Sequence, residues 1–85
     1  MTRDEILKKI LVIMEKDFEI VNPDLDANMN EKYGFDSIDA IELLEYIEEI
    51  IGSSLTHEEK KKAMDIRNIN NICDYVFDIA KNRGL

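Results

Sequence analysis

Gly34-Phe35-Asp36-Ser37-Ile38 places a turn glycine and an aspartate directly before a serine, at the start of an acidic amphipathic segment. Asp36 is predicted to cap a helix, because its carboxylate can accept hydrogen bonds from the free amides of the first turn. Ser37 then lies at a helix N-terminus, where the amides and the helix dipole favour a phosphate group. No neighbouring residue can activate this serine, so the stretch indicates a serine that is modified rather than one that catalyses. The alternative is an ordinary capping-region serine.

The length and composition of the chain limit the classes of protein it can be. Its 85 residues predict one domain, residues 1–85, with a small core. That size favours a module that presents one group to other proteins over an enzyme with a walled pocket. Cys73 is the only cysteine, so no internal disulfide is possible, and Lys8-Lys9 interrupt the only apolar run near the N-terminus. We therefore expect a cytoplasmic monomer without a membrane segment.

The net charge of −8 is concentrated in one part of the chain. Between Tyr33 and Glu59 there is no lysine or arginine, and the acids of this window equal the net charge. They are Asp36, Asp39, Glu42, Glu45, Glu48, Glu49, Glu58 and Glu59. Such a field repels nucleic acids and anionic membranes and attracts basic protein surfaces.

Capping signals and hydrophobic spacing predict an all-α fold, a small three- to four-helix bundle with a long loop between its first and second helices. Two capping boxes, Thr2-Arg3-Asp4-Glu5 and Thr56-His57-Glu58-Glu59, start the first and third helices. The predicted helices run from Arg3 to Phe18, from Ser37 to Ile51, from the second capping box to Met64 or Asp65, and from the cap Asn68 to about Asn82.

The long loop, from Val21 to Phe35, follows the helix-breaking pair Asn22-Pro23. Leu25, Met29 and Tyr33 are expected to anchor it on the core.

In the second predicted helix, a step of about 100° per residue separates two faces. The core face is predicted to hold Ala40, Leu43, Leu44, Ile47, Ile50 and Ile51. Ile38 and Ile41 fall instead among the acids, on the side of Ser37. Two exposed isoleucines framed by carboxylates suggest a small docking site for another protein.

The sequence gives little support to a metal site or to a Ser-His-Asp catalytic triad. Asp24-x-Asp26-x-Asn28-x-Asn30 alternates oxygen ligands like a calcium loop, but Met29 and Phe35 replace the glycine and the bidentate glutamate that such a loop requires. His57 and Cys73 lack the spacing of zinc ligands. We expect no metal site, an exposed His57 and a buried Cys73.

These residues together resemble the acyl carrier protein family, over essentially the whole chain. The most specific part is Gly34-Phe35-Asp36-Ser37-Ile38-Asp39-Ala40-Ile41-Glu42-Leu43, which is similar to the family's Gly-x-Asp-Ser-Leu motif and acidic recognition helix. In that family the serine carries 4′-phosphopantetheine through a phosphodiester, which a dedicated transferase makes from coenzyme A. The resemblance implies this role for Ser37, with Asp36 as the motif aspartate, in a non-catalytic carrier of acyl thioesters.

The resemblance also implies partners, namely the phosphopantetheinyl transferase and enzymes of fatty acid or related acyl-chain synthesis with basic docking patches. The matching acidic residues are Asp39, Glu42, Glu45, Glu48 and Glu49, and the matching apolar residues are Ile38 and Ile41. Glu45 and the basic run Lys60-Lys61-Lys62 depart from the usual pattern and leave a specialised polyketide or aminoacyl carrier open. The alternative from another class is a helical interaction module in which Ser37 is only a cap.

Overall fold

The computed structural model describes residues 1–85 and contains five helices and no strand. They are α1 (Arg3–Phe18), α2 (Met29–Tyr33), α3 (Ser37–Ile51), α4 (His57–Ala63) and α5 (Ile69–Asn82). The all-α prediction is confirmed. The predicted bounds of α1 and α3 are also confirmed, and α4 and α5 begin directly after their predicted caps, Thr56 and Asn68.

The predicted long loop is wrong in one respect, because Met29–Tyr33 form a helix within it. Asn28 caps this helix by accepting a hydrogen bond from the Glu31 amide (3.0 Å), and Gly34 ends it in the left-handed region at φ 67°. A helix of five residues is too short to show a hydrophobic repeat and is unstable alone. Tertiary packing of the buried Met29 holds it in place.

One cluster of 14 buried side chains forms the core, and α1 packs mainly against α5. The cluster comprises Ile6, Ile10, Met14, Ile20, Met29, Leu43, Ile47, Ile51, Leu55, Ile69, Ile72, Cys73, Val76 and Ile79. Burial raises the pKa of the Cys73 thiol, so this cysteine acts as a small core side chain, as predicted.

The start of α2 and the segment before it are tied to the start of α5 by three hydrogen bonds. The Met29 amide donates to the Arg67 carbonyl (2.8 Å), and the Asn70 amide donates to the Leu25 carbonyl (3.1 Å). The Asn70 side chain donates to Asp26 Oδ1 (2.6 Å). Because Leu25 and Met29 also pack on the core, the predicted anchoring of this segment is confirmed. These contacts fix the position of α2 beside α3.

A second set of contacts joins α4 to the end of α5. Arg83 pairs with Glu59 at 2.8 Å and also donates to the Ser54 carbonyl (3.1 Å). The Arg83 guanidinium lowers the pKa of Glu59. Burial raises the pKa of Tyr75 to about 12, so its hydroxyl stays protonated and donates to the Glu59 carbonyl (2.7 Å). Glu59 is therefore a partly buried carboxylate paired with Arg83, so it contributes little to the open acidic surface.

The register of α3 gives a stability prediction for two residues on opposite faces. Leu43 is 4% exposed and Ile41 is 61% exposed. Leu43→Ala should lower the free energy of unfolding by roughly 2–5 kcal/mol, because it leaves a cavity in the core. Ile41→Ala should leave it nearly unchanged. Urea unfolding of both variants measures the difference, and a destabilising Ile41→Ala beside a neutral Leu43→Ala would contradict this register.

Candidate functional site

The N-terminus of α3 is closed by two reciprocal hydrogen bonds. Asp36 Oδ1 accepts from the Asp39 amide (2.9 Å), and Asp39 Oδ2 accepts from the Asp36 amide (3.1 Å). The predicted cap at Asp36 is confirmed, while the return bond from Asp39 was not predicted. The amides of Ser37 and Ile38 have no backbone acceptor. Two free donors and the positive end of the helix dipole thus lie at the serine.

Ser37 is exposed as the first residue of α3. Its hydroxyl makes no hydrogen bond within the chain, so no side chain is placed to remove its proton. His57 lies at the start of α4, also exposed. A hydroxyl in this setting is open to another enzyme but has no catalytic partner of its own.

Exposed apolar side chains flank the serine. Ile38 is 67% exposed and Ile41 is 61% exposed, as predicted from the helical wheel. Met64, the C-cap residue of α4, is 65% exposed and lines the same cleft as Ile41. Its contribution was missed because Met64 and Ile41 are far apart in sequence. Ile41 and Met64 thus add exposed apolar surface to the cleft, and Ile38 adds exposed apolar surface next to Ser37 in the chain.

The five acidic residues expected on the recognition surface fall into two groups. Glu42, Glu45 and Glu49 are exposed, and no hydrogen bond or ion pair occupies their carboxylates. Asp39 belongs to the capping box, and Glu48 Oε2 accepts from the Leu55 amide at 2.7 Å. Both are half-buried. The exposed charge of α3 therefore rests chiefly on the first group.

A cleft of about 440 Å³ opens beside Ser37, between α2, α3 and the connection from α4 to α5. Asp36 and Ser37 belong to its lining, and Met29, Ile47 and Ile72 contribute buried apolar surface. Its volume is in the range of small-molecule pockets. The cleft was not predicted, because it forms between three segments that are distant in sequence, and local sequence patterns do not indicate how far apart such segments lie.

Metal-ligand clusters and membrane-spanning helices are absent from the fold. No group of three or more histidine, cysteine, aspartate or glutamate side chains is placed to hold a metal ion. None of the helices combines the length and the hydrophobicity needed to cross a bilayer.

Comparison with known proteins identifies a family that matches most of the chain. The family model described as the phosphopantetheine attachment site matches residues 8–76 of the 85-residue chain. This range includes α2, α3, α4, the cleft and Ser37. Neither the curated proteins nor the solved structures gave a significant match.

Proposed function

Because the chain belongs to the phosphopantetheine attachment site family, we propose that Ser37 is its attachment residue. Domains of this family are non-catalytic carriers that bear 4′-phosphopantetheine covalently on a serine. The group supplies a thiol that holds an acyl chain as a thioester. The observation that carries the assignment is the exposed Ser37 hydroxyl at the N-terminus of a 15-residue helix.

The other serines fit the attachment less well. Ser53 and Ser54 follow the C-terminal cap of α3, Gly52, roughly 24 Å along the helix from Ser37 at 1.5 Å per residue. There the helix dipole is negative and disfavours a phosphate. The Ser54 carbonyl also accepts from Arg83. Neither serine lines the cleft.

The chain's own residues account for two requirements of a carrier. The N-terminal amides of Ser37 and Ile38 face the place where the phosphodiester would be attached, and they compensate part of its charge. Since no base contacts Ser37, the transferase must remove the hydroxyl proton as the serine oxygen attacks the phosphorus that bears pantetheine. The pyrophosphate bond of coenzyme A breaks in the same step, and the adenosine bisphosphate leaves. The apolar lining of the cleft supports shelter of an acyl chain from water.

Recognition of partner enzymes follows from the exposed face of α3. Glu42, Glu45 and Glu49 provide an attractive field for basic docking patches, and Ile38 and Ile41 provide apolar contacts. Asp39 and Glu48 contribute charge from positions that hydrogen bonds already hold. We propose that the transferase and the acyl-chain synthesis enzymes share this face.

The acidic α3 supports a carrier for fatty acid or related acyl-chain synthesis. The exposed Glu45 and the exposed run Lys60-Lys61-Lys62 keep a specialised polyketide or aminoacyl carrier as the alternative. A helical module in which Ser37 is only a cap would carry no prosthetic group. Covalent modification of the protein therefore distinguishes this module from both kinds of carrier.

Replacing Ser37 tests the attachment. Incubated with a phosphopantetheinyl transferase and coenzyme A, the wild-type protein should gain the mass of one phosphopantetheine group by intact-mass spectrometry. Ser37→Ala should keep its helical circular dichroism and gain none, because the acceptor oxygen is gone. Ser53→Ala and Ser54→Ala are the controls and should be modified like the wild type. Modification of Ser37→Ala would overturn the assignment.

Reversing charge on α3 tests the recognition face. Glu42→Lys with Glu45→Lys should slow transferase modification roughly 10-fold at low salt, because electrostatic attraction acts on the association rate. The control, Glu15→Lys with Asp78→Lys, changes the net charge equally at exposed positions on α1 and α5. Added salt should shrink the difference between wild type and the α3 variant. Equal slowing in both variants would show that only net charge matters.

A further inference from the structure

Arg67 lies in the connection between α4 and α5 and lines the same cleft as Ser37. The only other charged residues in that lining are Glu31 and Asp36, so Arg67 is its single cation. No lysine or arginine occurs between Tyr33 and Glu59. Arg67 is therefore the one cation of the cleft that Ser37 lines.

Both ends of Arg67 are held in place. Its backbone carbonyl accepts from the Met29 amide (2.8 Å). Its Nη1 donates to the carbonyls of Met64 (2.8 Å) and Ile66 (3.1 Å). Nε and Nη2 make no hydrogen bond within the chain, and no carboxylate pairs with the guanidinium. Arg67 thus presents free donors from a fixed position in a protein of net charge −8.

We propose that Arg67 is a positioning residue that pairs with the phosphodiester on Ser37. The inference rests on the proposed attachment at that serine. The phosphodiester is an anion next to the carboxylates of Asp36 and Asp39, whose repulsion the two free amides of α3 offset only in part. A guanidinium offers planar donors that match phosphate oxygens. Pairing with Arg67 neutralises this charge and directs the start of the arm toward the cleft.

A carboxylate at the end of a carried acyl group has the same chemistry and is the competing anion. The phosphodiester is favoured because it is bonded to Ser37, which lines the cleft together with Arg67. A terminal carboxylate would lie at the far end of a flexible arm, and holding it at Arg67 would cost conformational entropy.

The test compares the apo and modified forms of the wild type, Arg67→Gln, Arg67→Lys and the control Lys62→Gln. Lys62 is an exposed cation of α4 outside the cleft. Intact mass first establishes modification; an unmodified wild type would be a failure of the proposed function and not of this inference. Melting temperature and the phosphorus NMR shift are then measured at low and high salt.

On modification, the melting temperature of the wild type should rise above that of its apo form. This rise should be roughly 2–4 °C larger in the wild type than in Arg67→Gln. Lys62→Gln should match the wild type, Arg67→Lys should keep part of the difference, and salt should reduce it. Relative to the modified wild type, the phosphorus chemical shift should change in modified Arg67→Gln and stay the same in modified Lys62→Gln. This pattern would not arise from the Nη1 bonds to Met64 and Ile66, which are present in the apo form.

Two results would overturn the proposal. If Arg67→Gln lowers the melting temperatures of the apo and modified forms equally and leaves the phosphorus shift unchanged, Arg67 serves only the fold. A comparison of succinyl-loaded with butyryl-loaded protein provides the second result. If the wild type and Arg67→Gln differ only when succinyl is carried, the guanidinium binds a terminal carboxylate instead of the phosphodiester.

Discussion

The two hydrogen bonds between Asp36 and Asp39 set the first residue of α3, and the arrangement of the site depends on that start. Each residue turns a helix by about 100°, so neighbouring positions face very different surroundings. With Ser37 as the first residue, Leu43 and Ile47 enter the core, while Ile38 and Ile41 remain outside. Burial of Leu43 and Ile47 fixes the face of α3 that packs on the core, and a helix that began after Ser37 would no longer hold that serine at its N-terminus. The cap thus places Ser37 at the positive end of the helix dipole, while side-chain burial separates the core face of α3 from its exposed face.

The acidic residues of the chain serve two different purposes. Asp39, Glu48 and Glu59 accept hydrogen bonds that close a helix start, hold the loop after α3 and fix the end of α5. Charge-assisted bonds of this kind stabilise local structure. Glu42, Glu45 and Glu49 make no such bonds and create the external field. Counting charges along the sequence cannot separate these groups, because a charge count does not include hydrogen-bond partners such as the Leu55 amide at Glu48 and Arg83 at Glu59.

Local signals account for what the sequence predicted correctly. The caps at Thr2, Asp36, Thr56 and Asn68 act within three residues, and the hydrophobic repeats of α1, α3 and α5 run along one helix, so both kinds of pattern are visible in the sequence. The family resemblance, read from the residues around Ser37, is confirmed by the match over residues 8–76. The short α2, the cleft and the position of Arg67 depend on distant segments meeting. The hydrogen bond from the Met29 amide to the Arg67 carbonyl is an example, because it joins residues far apart in the sequence and no local pattern predicts it.

Attachment of the arm at the start of α3 is the central claim, and localisation of the prosthetic group tests it most directly. The modified protein would be digested, and the peptide that contains residues 34–43 would be fragmented by tandem mass spectrometry. The account predicts that the phosphopantetheine mass is carried by Ser37. Its presence on Ser53 or Ser54, or its absence from every serine after exposure to an active transferase and coenzyme A, would contradict the account.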